Sequence, residues 1–175
     1  MSLFARLFSG GVPAGFPGKL DREESVAASA PVRGGGHLVA TSLGLWVPEG
    51  DDARRVGWHL VSKAAWASGV FTITEAEEVG EAGDAVVLRD LAPRRIAVER
   101  PGKLPQAVHQ RVTASIRSRH RQELPGGGAW FVQRKVPGRD GVILQVRPDE
   151  GADVDAIRAI AAEVAAKIEA ARDEP

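Results

Sequence analysis

Residues 37–59, HLVATSLGLWVPEGDDARRVGWH, constrain this chain more than any other stretch. Leu38 and Val39 precede a polar break at Thr41-Ser42, and Leu43, Leu45 and Val47 then alternate against Gly44 and Trp46. Two β-rich runs around a short polar break spell a hairpin. Pro48-Glu49-Gly50-Asp51-Asp52 is a turn cluster, and RRVGWH begins a further strand. The pattern continues with VFTIT (70–74), DAVVLRD (84–90) and RRIAVER (94–100), spaced by Gly, Pro and acidic turns, while ESVAASAPV before it fits a strand better than a helix. Short strands at this spacing predict a sandwich or small barrel rather than a parallel sheet.

The last third changes character. Pro105 can open a helix in which Val108, Val112 and Ile116 share one side. From Ser115 onward a strand fits equally, with Ile116, Ser118, His120, Gln122 and Leu124 on one face. AWFVQRKV and GVILQV are strands joined by the turn Pro137-Gly138-Arg139-Asp140. The spacing of Val154, Ile157, Ile160 or Ala161, Val164 and Ile168 predicts a terminal helix over 153–171 that caps the sheet, with Asp153 as its N-cap.

The order EESVAASAPV, GGHLVATSLGLWV, RRVGWHLVSKAAW, GVFTITEAEE, AVVLRD resembles the bacterial pleckstrin-homology-like (PH-like) domains over roughly residues 22–100. More closely, it resembles an actinobacterial family of uncharacterised function that carries such a region. The resemblance implies an α+β fold: a strongly bent antiparallel sheet, or partly open barrel, closed by a C-terminal helix. It implies no catalytic residues. Both 105–116 and 153–171 are candidates for the closing helix. The expected organisation is a tail over 1–20 and one PH-like domain over 21–172, extended by a C-terminal hairpin and helix, with a sub-boundary near 101–105.

Composition excludes several kinds of chemistry. With no cysteine there are no disulfides, thiolate nucleophiles or Cys-ligated metals. Lys plus Arg equals Asp plus Glu at 23 each, so no overall field draws the chain to nucleic acid or membrane. No apolar run reaches the ~20 residues of a membrane span and no secretory signal is evident, so a cytoplasmic location is expected. His37, His59, His109 and His120 form neither HxH nor HExxH, and no phosphate loop or nucleophile elbow is present; no cofactor is expected. RGGGH (33–37) and PGGGAW (125–130) lie between strand-like runs rather than opening helices, so they read as turns.

Three functions compete. The first is a non-catalytic intracellular module that binds a protein partner or itself. The second uses the Arg-rich stretch: between Arg94 and Arg139 eleven Lys and Arg face two acids, and strand alternation puts Arg117, Arg119 and Arg121 of IRSRHRQ on one face. Joined by Arg134 and Lys135, with Trp130 or Phe131 for stacking, they suit nucleic acid or an anionic surface. The third is an enzyme with an unfamiliar site around His59 and His120. A membrane partner would rest only on the small apolar cluster Leu3, Phe4, Leu7 and Phe8 and is disfavoured. In VGWHLVSKAAW (56–66) periodicity fits strand and helix alike. The resemblance implies a strand to Trp58, a turn through His59-Leu60 and a strand to Trp66, with His59 as a turn fastener or ligand contact.

Overall fold

The computed structural model describes residues 11–174, so the apolar cluster Leu3, Phe4, Leu7 and Phe8 lies outside it. The fold is α+β, and its chain divides into two compact units. Unit 1 takes residues 1–75 and 92–114, and unit 2 takes 76–91 and 115–175.

Unit 1 opens with the antiparallel meander β1 (Val26–Pro31), β2 (His37–Thr41), β3 (Gly44–Glu49) and β4 (Asp52–Gly57). The β3–β4 register pairs Glu49 with Asp52 across Gly50, whose φ of 62° suits a residue without a side chain. A single 3₁₀ turn, Trp58–Leu60, leads into β5 (Val61–Ala67). β5 pairs with the first half of β6 (Val70–Ala82), and β8 (Arg94–Ala97) pairs with the same half along its other edge. An antiparallel bridge between Val32 and Val98 brings the end of β1 to the end of β8. Strands β1–β4 thus continue through the 3₁₀ turn to β5, β6 and β8 and return to β1, forming a bent, partly open barrel. Its core includes Leu38, Leu45, Val56, Trp58, Phe71 and Ile96.

Helix α1 (Leu104–Ser115) inserts Leu104 and Val108 into that core, with Val112 half-buried against it. The helical and extended readings of 105–124 are both realised in succession. The helix runs to Ser115, and Ile116 opens a strand.

Unit 2 is built on the second half of β6, β7 (Ala85–Asp90), β9 (Ile116–Gln122), β10 (Ala129–Lys135) and β11 (Val142–Pro148), in the order β6-β7-β11-β10-β9. The pairings are antiparallel except β7 with β11, which is parallel at Val86–Gln145 and Val87–Val146. Helix α2 (Val154–Arg172) covers one face; its Asp153 cap accepts from the Ala156 N–H at 3.1 Å. Ile157, Ala161 and Ala165 seat it on Val87, Phe131, Leu144 and Val146. The neighbouring row Ile160, Val164, Ile168 is only half-buried, and Val154 is exposed. Each of the two candidate helices therefore caps a sheet, α1 in unit 1 and α2 in unit 2.

Candidate functional site

The Arg-rich stretch falls on β9, at the edge of unit 2. Strand alternation sends Arg119 and Arg121 to the face away from α2, and Ser118, His120 and Gln122 to the helix side, while Arg117 falls in a β-bulge between Ile116 and Ser118 and drops out of the alternation expected for the row. Register sets Trp130 of β10 between Arg121 on β9 and Arg147 on β11. Trp130 is 37% exposed, and two guanidiniums approach its ring, Arg119 at 4.8 Å and Arg121 at 5.8 Å from the centroid. A delocalised cation over an indole face is attracted by the ring quadrupole, and the two arginines hold the indole in one attitude.

The connection from β9 to β10 fixes this corner. Asp149 accepts both guanidinium nitrogens of Arg121, one at 2.6 Å, and also accepts the Gly128 N–H at 3.0 Å. Its own N–H donates to the Gly128 carbonyl at 2.9 Å. A Cβ at Gly128 would overlap the Gln122 carbonyl, so the close strand crossing demands glycine there. PGGGAW is accordingly a turn. The bidentate hydrogen bonding to Asp149, with Glu123 at 2.6 Å, raises the Arg121 guanidinium above its ordinary value, and the same contact lowers the Asp149 carboxyl.

The remaining arginines differ sharply. Arg134 is 1% exposed and donates to Ser115 Oγ at 2.6 and 3.1 Å; burial, then the neighbouring Arg147, pushes its guanidinium down to about 10. Burial also lowers Arg147, opposed by Asp90 at 3.8 Å and assisted by Arg119. Arg134 stays protonated at neutral pH. Lys135 is exposed on the α2 side of β10 and does not share the face of the arginine row. Arg117 and Arg119 are exposed, and among the described residues neither is ion-paired. Of the five cations singled out in the sequence, Arg117, Arg119 and Lys135 thus remain open to an anion among the described residues, Arg121 is held by two carboxylates, and Arg134 is buried.

Behind β9, on the helix side, lies a cleft of about 210 Å³. Phe131 and Leu144 floor it, Ile160, Val164 and Ile168 form its helical wall, and Ser118, His120, Gln122 and Gln133 complete the lining. No spacing rule marked it, because its two walls come from segments some forty residues apart that meet only in the fold.

His59 belongs to unit 1. It lies in the 3₁₀ turn, half-buried, with its ring over Gly57: a Cβ there would stand 2.6 Å from His59 Cε1. Trp58, two per cent exposed, donates its indole N–H to the Thr41 carbonyl at 2.9 Å, and Trp66 packs on Phe71 at 4.8 Å. The strand–turn–strand expected across 56–66 is present, with Trp58 inside the barrel. His120 lines the unit 2 cleft; His59 is not among its lining residues. Among the described residues no three His, Asp or Glu side chains converge as metal ligands, and no helix is long and apolar enough to cross a membrane. Comparison with protein-family models, curated proteins and solved structures returns no match.

Proposed function

We propose that this chain is a non-catalytic, cytoplasmic binding module whose unit 1 is a PH-like barrel and whose unit 2 takes an acidic protein partner on the Trp130 face. The barrel of β1–β6 and β8 with α1 in its core supports the PH-like assignment. The observation that carries the binding function is Trp130, exposed beside Arg119, with Arg117 and Arg119 lacking carboxylate partners among the described residues. An aromatic plate rimmed by arginine is the composition of energetically dominant protein contacts.

The same arginines bear on the nucleic-acid alternative. A phosphate-tracking surface needs a run of available cations. Here Arg121 is neutralised by Asp149 and Glu123, Arg134 is buried, and Lys135 lies on the opposite face. What remains is a short cationic patch beside an indole, matched to a few carboxylates.

Fluorescence anisotropy with a labelled poly-glutamate peptide and an oligothymidylate of equal charge tests this. The peptide should bind more tightly than the oligonucleotide, and Arg119→Ala or Trp130→Ala should each weaken it about five- to tenfold, the worth of one charge-assisted contact, with unchanged circular dichroism. Tighter binding of the oligonucleotide would transfer the site to nucleic acid, and absence of peptide binding would remove the proposal.

A further inference from the structure

We infer that the partner segment binds unit 2 as an added β-strand along β9, with acidic and apolar side chains alternating. This inference rests on the acidic-partner proposal and specifies its geometry. Three independent features of β9 converge on it. The strand is paired with β10 on one side only, so its outer edge presents backbone donors and acceptors to no other strand of the described residues. Arg117, Ser118, Arg119 and His120 are all exposed along that edge. The two faces of the strand also have opposite chemistry: the Arg119 guanidinium beside Trp130 on one, and on the other the cleft walled by Phe131, Leu144, Ile160, Val164 and Ile168.

An extended segment hydrogen-bonded to β9 would lie about 4.8 Å beyond it, and its side chains would alternate between those faces with the same two-residue period. Residues of one parity reach the arginines and Trp130, while those of the other parity enter the cleft beside Ile160, Val164 and Ile168. A nucleic acid strand does not send its groups to two opposite faces with a two-residue period, whereas an acidic–apolar β-strand fills both. A second copy fits the edge poorly, because antiparallel β9-to-β9 pairing sets arginine opposite arginine, and like charges directly opposite destabilise a sheet. The arginine row therefore rejects self-pairing and favours a complementary strand.

The test uses the full chain and two peptides of one composition, alternating Glu with Val and Ile or carrying the same residues in an acidic block and an apolar block. The alternating peptide should bind about tenfold or more tightly than the block isomer, a difference set by simultaneous use of both faces. N-methylation of alternate peptide amides should abolish that advantage. Amide exchange should slow in Arg117–Gln122 on binding. Ile168→Ser, on the helical wall of the cleft, should also reduce the advantage without adding a charge. Equal affinity of the two peptides, or indifference to N-methylation, overturns strand addition and leaves the acidic-partner proposal standing. If neither peptide nor poly-glutamate binds, both fall. A peptide-free dimer with protection confined to β9 gives the edge to a second copy and overturns the inference.

Discussion

Glu24 shows how much of unit 1 rests on single side chains. Its carboxylate has no exposed surface and accepts from Thr41 Oγ1, from the Trp46 indole at 2.9 Å, from the Asp21 N–H at 2.9 Å and from Arg55 at 2.6 Å. Burial alone would raise this carboxyl, but the hydrogen bonds from Thr41, Asp21 and Trp46 and the charge of Arg55 outweigh it, and it lies below the usual 4.5. A carboxyl lowered on folding contributes stability that is complete above its unfolded value and is lost as pH falls through the folded one. Acid titration of unfolding should therefore show a loss below about pH 4.5 that Glu24→Gln flattens. At neutral pH Glu24→Ala should cost about 2–4 kcal/mol in chemical denaturation, since it strips partners from Trp46 and Arg55 together. Gly128→Ala is a second residue-scale case. By displacing the Gln122 carbonyl it should loosen the Asp149 clamp on Arg121 and lower the denaturation midpoint without any change of charge.

Among the elements, α2 separates stability from binding along adjacent rows. Ile157 is fully buried, so Ile157→Ala should cost about 2–5 kcal/mol by leaving a cavity, measured as a fall in denaturation midpoint. Removing the Asp153 cap should cost about 1 kcal/mol. Much at this scale was legible in the sequence. The hairpins followed from two-residue alternation broken by Gly, Pro and Asp, and the terminal helix from its 3.6-residue stripe. The stripe did not separate the seated row Ile157, Ala161, Ala165 from the cleft row Ile160, Val164, Ile168, because both lie within one apolar arc. The region after Pro105 was ambiguous for a physical reason: Val108, Val112 and Ile116 satisfy a helix, while Ile116, Ser118 and His120 satisfy a strand, and Ile116 serves both patterns. Alternation made Arg119 and Arg121 legible as neighbours on one face of β9, but not the bulge that takes Arg117 out of the row. Arg147 and Asp149, which complete its surroundings, act through cross-strand register, which local pattern does not encode.

At the scale of the whole molecule, the two units are interleaved along the chain. Residues 92–114 return to unit 1 after β7 has been laid down in unit 2, and they carry β8, Leu104 and Val108. A fragment ending at Glu75 thus lacks a strand and the helical part of its core. It should fail to give a dispersed NMR spectrum, whereas addition of a 92–114 peptide should restore order if the missing pieces are the cause.

The parallel pairing of β7 with β11 has a consequence for synthesis. Val86 leaves the ribosome early, but its partner Gln145 follows about sixty residues later, so the closing entropy of a long loop must be met before the pair forms. Throughout that interval the apolar flank of β7, with Val87 and Leu88, stands without its neighbour. The nascent chain thus has a window of vulnerability to wrong strand partners that opens with β7 and closes only when β11 arrives.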